Sequence, residues 1–178
     1  MFEILELINH DYPRGGMAAP GLTAGTCLRK DFAFSEERSS APGMLLAVSR
    51  VHESVPLFLV EGLKRRLGGS LRDCKVTVLG LTFKRDSDDL RDSLAAKLIR
   101  LLERELAHVA RHDPHVPADS EGLDAVLEGA DAVVVATNHS AFEGLLERLP
   151  EGTLLVDPWN VTGVGSVFDI VHARVPAE

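Results

Sequence analysis

Cysteine is scarce in this sequence: Cys27 and Cys74 are the only two among 178 residues. Two thiols cannot build a disulfide framework, and the composition fits a protein whose thiols stay reduced. Aromatic residues are few, with one tryptophan and one tyrosine. Positive charge is outweighed, 19 lysines and arginines against 27 acidic residues, for a net charge of −8. No basic stripe runs along the chain, which argues against nucleic acid as a partner. No apolar run reaches the length of a membrane span, and the first eight residues are short and acidic, unlike an export leader. A soluble cytoplasmic protein is the expectation. There is no repeat, no low-complexity tract and no G-x-G-x-x-G fingerprint; Gly80 stands alone.

Apolar residues make up 45% of the chain and charged residues 26%, a globular balance. The length suits one ordinary domain with an addition, or two small ones. Phe2–Asn9 reads as helix, with Phe2, Leu5 and Ile8 on one face. Asp11–Ser40 is rich in glycine and proline and reads as loop. This arm has little apolar surface, so residues 1–40 are expected to be mobile or covered by dimerisation. Gly43–Leu67 has helical spacing through Leu45, Val48, Val51, Val55, Leu59 and Leu63. Pro56 predicts a kink or two abutting helices there, and Gly68-Gly69 ends the run.

From Cys74 the texture changes. Lys75–Leu79, His108–Arg111, Ala132–Ala136 and Thr153–Val156 read as strands. Helices are predicted after Ser93 (Leu94, Leu98, Leu101, Leu102, Leu106), over Gly122–Leu127 and over Ser140–Arg148. Strands alternating with helices, the central ones apolar on both faces, predict a parallel sheet covered by helices: a Rossmann-like α/β domain. Ligands of such domains sit at strand carboxyl ends. The segments there are Gly80–Lys84, Thr137–His139 and Asp157–Asn160. The expected division is a helical segment over 1–70 and the α/β domain over 74–178.

Chemistry concentrates in two blocks. In the first, a glycine-rich run, Pro20-Gly21-Leu22-Thr23-Ala24-Gly25, delivers Cys27, with Lys30 and Asp31 close behind. Glycines let backbone N–H groups approach a ligand, and a nearby cation favours the nucleophilic thiolate. A core rarely needs this clustering; Cys74, before a buried strand, reads as structural. The second block, Gly80 to Ser93, places Lys84, Arg85 and Arg91 between a strand and a helix N-terminus, a setting that suits phosphate but equally a solvated loop. His108, His112, Asp113 and His115 lie close together, but the Asp113-Pro114 turn and the lack of a second cluster argue against a metal. His139 is a weaker candidate for ligand contact. Trp159 fits either a core edge or a ligand site.

Together these blocks resemble the UDP-glucose/GDP-mannose (nucleotide-sugar) dehydrogenase family over about Asn9 to Val161. The resemblance rests on the Cys27–Lys30–Asp31 loop, on Gly80-Leu81-x-Phe83-Lys84 with Asp88-Asp89-x-Arg91-x-Ser93, and on Asp113-Pro114, Ala130-Asp131-Ala132, Thr137, Phe142, Asp157 and Asn160. It implies NAD-dependent oxidation of a UDP-sugar C6 alcohol to the acid. Cys27 would be the nucleophile at the aldehyde level, and Asp31 would position the hydrolytic water. Lys30 and Arg91 would lie on the NAD side. The substrate would meet Gly21, Leu22, Thr23, Ala24, Gly25, Phe83 and Lys84, with Arg14 reaching the neighbouring subunit's substrate. The implied partners are a UDP-sugar and either a second copy or a separately encoded NAD-binding half.

The departures bear on activity. The family's N-terminal dinucleotide fingerprint has no counterpart here, nor do its catalytic glutamate and the helix with its catalytic lysine and asparagine. His52 stands where asparagine is usual. Asp157-Pro158-Trp159-Asn160 replaces an Asp-Gly-Arg-Asn segment, removing a substrate arginine. The expectation is a chain inactive without a partner for NAD; a non-catalytic nucleotide-sugar-binding module or a degenerate remnant is the competing reading. The family reading requires Cys27 and Lys84 to converge on one cleft.

Overall fold

The computed structural model describes residues 2–13, 16–17, 20–24, 26–38, 40 and 43–172, apart from the side chains of Thr26, Leu28 and Arg29. Helices α1 (Phe2–Asn9), α2 (Thr26–Glu37) and α3 (Met44–Arg66) precede strand β1 (Lys75–Leu79). Then follow α4 (Leu94–Arg104), β2 (His108–His112), α5 (Leu123–Leu127), β3 (Ala132–Val135), β4 (Leu154–Val156) and β5 (Phe168–Ile170). The sheet order is β2-β1-β3-β4-β5. The first four strands are parallel and β5 runs antiparallel to β4.

The parallel strands form because Val76, Val78, Val133, Val134 and Val135 can all be buried, and all are. Alternate residues enter opposite cores. Val76, Val78 and Val134 pack with Leu59, Leu63, Leu98 and Leu102. Leu79, Val133, Val135 and Leu155 pack with Val126 and Phe142. Helix α4 starts at Ser93, whose hydroxyl accepts the Ala95 N–H at 3.2 Å, as the N-cap expectation required.

Five sequence expectations need correction. The reading of Asp11–Ser40 as loop missed α2, whose Glu36 carboxylate accepts the Gly43 and Leu46 amides at 3.2 and 2.7 Å and so caps α3 from outside. No local signal marks α2, because its support lies on α3. Of the two alternatives at Pro56, the pair of abutting helices does not form: α3 is one element, with Pro56 inside it and buried. Ser140–Arg148 is not a helix but two 3-10 turns, Ser140–Phe142 and Leu145–Glu147, separated by Gly144 at φ 78. Leu106 lies beyond α4, at φ 64 and half exposed. The antiparallel β5 was not foreseen; its Phe168 ring fills the space a Gly62 side chain would take, 2.1 Å from an ideal Cβ.

The apolar stripe of α3 meets two fates. Leu59 and Leu63 are buried, whereas Leu45, Val48 and Val51 are exposed.

Candidate functional site at the strand carboxyl ends

Strand β1 has β2 on one side and β3 on the other, so the chain reverses direction of travel between β1 and β3. Such a switch point opens a crevice beyond the carboxyl ends of the two strands. The Gly80–Ser93 loop and the Ala136–His139 segment border it.

The Gly80–Ser93 loop is pinned by side chains from distant strands. Asp113, one residue past β2, accepts the Leu81 amide at 2.6 Å and the Thr82 amide at 3.2 Å through Oδ2. His139, four residues past β3, approaches the same oxygen at 3.0 Å. Thr137 and Ser93 hydroxyls both donate to the Thr82 carbonyl, at 2.6 and 3.2 Å. The Phe83 amide donates to the Asp89 carbonyl at 3.0 Å. The turn so fixed leaves Phe83 half-buried and Lys84 exposed, with Lys84 Nζ 5.8 Å from the Phe83 ring centre.

Charge also orders the loop from within. Arg91 Nε donates to both Asp89 oxygens, at 2.9 and 3.0 Å. That contact, with the Arg91 amide and in smaller measure Lys84, holds the Asp89 carboxyl at about 2. Arg91 is held more firmly protonated, by Asp89 above all. Cys27 is exposed in the first turn of α2.

Of the predicted loop residues, Gly21 lies under the Trp159 indole, whose atoms stand 2.2–2.4 Å from an ideal Gly21 Cβ. The Trp159 Nε1–H donates to the Ala136 carbonyl at 3.0 Å. Trp159 packs on both cores, the core-edge reading of its position, and it stands beyond β4. Leu22 is buried and Ala24 packs on the same core, whereas Thr23 is exposed. Asp31 and Thr23 line a cavity of ≈ 490 Å³ with Phe32, Val48, His52 and Asp92. Lys30 is exposed on α2. Arg14 and Gly25 lie outside the described residues. Cys74 is half-buried against the core, and burial pushes its thiol up.

The four-residue group weighed for a metal does not assemble. His108 is exposed at the start of β2, and His112 Nδ1–H donates to the Glu121 carbonyl at 2.7 Å. Asp86, His115 and His139 instead bring one ligand atom each within 4.8 Å of one another. Two of these three residues are already engaged: His139 Nδ1 accepts the Asp86 amide, and Asp86 Oδ1 accepts the amide and hydroxyl of Ser140. The arrangement is a hydrogen-bonded hub.

Asp113 and His139 are the site residues that sequence reasoning undervalued. The available signal was positional: an Asp-Pro after β2 and a histidine after β3 both flank the switch point. Burial by itself would raise the Asp113 carboxyl, but the His139 hydrogen bond and the Leu81 and His115 amides hold it at about 2. Because the folded value is depressed, the stability it contributes is present above the unfolded pKa and is lost as pH falls through the folded one. For a shift from 3.8 to about 2, the loss is about 2 kcal/mol. Urea midpoints should therefore hold steady down to about pH 5 and fall between about pH 4 and pH 2. Asp113→Asn should flatten that limb; an unchanged limb in the variant would refute the assignment. Asp86 and Asp89 act in the same direction, but their exposure discounts them.

Residues 77–164 match the model of the UDP-glucose/GDP-mannose dehydrogenase family, UDP binding domain. The UDP-N-acetyl-D-mannosamine dehydrogenase of Pyrococcus horikoshii is 32% identical over 151 residues, which cover 82% of this chain and 36% of that protein. The UDP-glucose 6-dehydrogenase of Rhizobium meliloti is 36% identical over 108 residues, 53% of this chain and 25% of that protein. Among solved structures, a UDP-glucose dehydrogenase from Pyrobaculum islandicum superposes with a TM-score of 0.76 at 32% identity, covering 90% of this chain and 40% of that one. The chain spans little more than a third of the length of the first of these relatives. The five-stranded sheet, its switch-point loop and these likenesses place the chain in the UDP-glucose/GDP-mannose dehydrogenase family, with residues 77–164 as its UDP binding domain.

Proposed function

We propose that this chain is the C-terminal portion of an NAD-dependent nucleotide-sugar 6-dehydrogenase, supplying the nucleotide-sugar cleft and the thiol nucleophile. What supports the proposal is the family likeness together with the Gly80–Ser93 loop, which Asp113 and His139 pin at the switch point so that Phe83 and Lys84 border the crevice. In this reading Phe83 stacks on the nucleotide-sugar and Lys84 offers its ammonium to the diphosphate. Gly21, Thr23, Ala24 and Gly25 bring backbone against the sugar; Leu22 contributes main chain only, since its side chain is core. Arg14 reaches the ligand of a second copy.

Cys27 then acts on the C6 aldehyde. The thiolate sulfur bonds to the carbonyl carbon, the π electrons move to oxygen, and that oxygen takes a proton. At the acid level, water adds to the thioester carbon and the C–S bond breaks, returning the thiolate; Asp31 orients that water.

NAD would accept the two hydrides, but the described residues do not build its cradle. The close approach that a glycine turn after β1 would offer a pyrophosphate is taken up by Thr137, 2.5–2.9 Å from an ideal Gly80 Cβ. Lys30 and Arg91 are at most fringe contacts. The chain is therefore proposed to need a dinucleotide-binding partner segment, and to be cytoplasmic.

Calorimetry with UDP and UDP-glucose, alongside an assay for NADH formation, tests this reading. Binding without turnover is expected, with alkylation of Cys27 slowed by bound UDP-glucose. Lys84→Ala should weaken UDP about tenfold, the loss of one charge-assisted contact. Failure to bind either ligand ends the proposal, and robust NADH formation refutes the need for a partner. Binding that leaves Cys27 alkylation unchanged would favour a non-catalytic binding module, the reading to which the missing cradle lends support.

A further inference from the structure

His139 has no solvent-exposed surface and no part in the chemistry above. Its two ring nitrogens have different partners. The Asp86 amide donates to Nδ1 at 2.9 Å, so Nδ1 carries the lone pair and the ring proton sits on Nε2. Nε2–H donates to Asp113 Oδ2 at 3.0 Å, with Thr82 Oγ1 at 3.2 Å. Asp113 Oδ2 also accepts the Leu81 and Thr82 amides. The loop is thus anchored at its start by Asp113 and at its end by His139. Phe83 and Lys84 lie between the anchors.

We infer that His139 is a positioning residue: as a neutral ring it holds the Leu81–Asp86 loop so that Phe83 and Lys84 can meet a nucleoside diphosphate, and a second proton on the ring releases that loop. This rests on the nucleotide-sugar reading of the crevice. A proton on Nδ1 sets one N–H against another and removes the acceptor of the Asp86 amide. The new donor turns to the Asp86 carboxylate, whose Oδ1 lies 3.7 Å away. That oxygen is the one Ser140 holds through its amide at 2.9 Å and its hydroxyl at 2.8 Å. Protonation therefore exchanges a main-chain anchor for a side-chain pair and draws Asp86 from Ser140.

Groups from every neighbouring element bear on this. Asp113 faces Nε2, and Asp86 faces Nδ1. The His115 ring lies 4.8 Å from that of His139 and also reaches Asp86 Oδ1, at 3.7 Å, so it competes for the same carboxylate. Phe142 meets the ring edge-on at 5.5 Å. Arg85 stands one step out, paired with Asp86 and Glu143.

The test is UDP calorimetry on the full chain between about pH 8 and pH 5.5, the span in which histidine rings titrate. Wild-type affinity should fall about tenfold or more on acidification, the loss expected when the Lys84 contact is no longer held in place. His139→Asn places an amide oxygen where Nδ1 stood and cannot titrate, so it should keep the high-pH affinity and show a flatter profile. His139→Ala should bind weakly throughout. Protonation of the diphosphate itself is common to all forms, so the difference between wild type and the Asn variant is the reading. An Asn variant with the full acid loss overturns the inference. If no form binds UDP, the nucleotide reading fails. Nitrogen-15 shifts of the His139 ring and of the Asp86 amide then decide the clamp: movement together with pH supports it, and an Asp86 amide indifferent to ring protonation overturns it.

Discussion

Gly80→Val is expected to cost about 2–5 kcal/mol of folding stability, a large part of an ordinary domain's 5–15 kcal/mol. Two penalties act together. Gly80 sits at φ 87, a region where side chains, β-branched ones above all, are strained; that costs about 1–2 kcal/mol. The Cβ would also lie 2.7 Å from the Thr137 nitrogen and 2.9 Å from its Cα. Those atoms are backbone and cannot swing aside. The Ala136 and Thr137 amides are bonded to the Leu79 carbonyl at 2.8 and 3.3 Å, and the Thr137 hydroxyl to the Thr82 carbonyl. Relief would have to open β1 from β3, adding an overpacking cost of about 1–3 kcal/mol. Urea unfolding measures the effect, with Gly80→Ala intermediate. A valine variant within about 1 kcal/mol of the parent would show that this corner yields easily.

Asp113→Ala should be comparably damaging, at about 3–5 kcal/mol, the range for removing one partner from a buried charged network. The carboxylate is 1% exposed and collects the amides of Leu81, Thr82 and His115 as well as the His139 ring. Truncation leaves the Leu81 and Thr82 N–H groups without an acceptor in a dry site, and unmade buried bonds cost more than made ones return. Asp113→Asn keeps one oxygen and should cost about half as much. A double-mutant cycle with His139→Asn should report coupling of about 1 kcal/mol or more, since the pair shares one hydrogen bond. Additivity within about 0.3 kcal/mol would mean that the two residues act separately.

How far the fold could be read from the chain differs element by element. Strands β1 and β3 were legible because a strand buried on both faces must be apolar throughout, and Lys75–Leu79 and Ala132–Val135 have that pattern almost without interruption. The start of α4 was legible because Ser93 performs its cap locally. The three-residue β5 was not, because so short a strand has no period; it exists because β4 offers an edge and α3 offers Gly62 to the Phe168 ring. Ser140–Arg148 had helical composition, but Gly144 takes a left-handed φ that splits it. Helix α2 was hidden by the glycines and prolines around it.

Local chemistry, which depends on neighbours a few residues apart, was carried by residue order: the strand periodicity, the thiol loop around Cys27, and the Phe83-Lys84 and Asp89–Arg91 pairs. Long-range satisfaction of buried polar groups was not. That Asp113 and His139 meet across the switch point, and that Trp159 roofs Gly21, depend on which strands become neighbours. Strand order is set by the packing of both sheet faces at once, and no local stretch of chain encodes it.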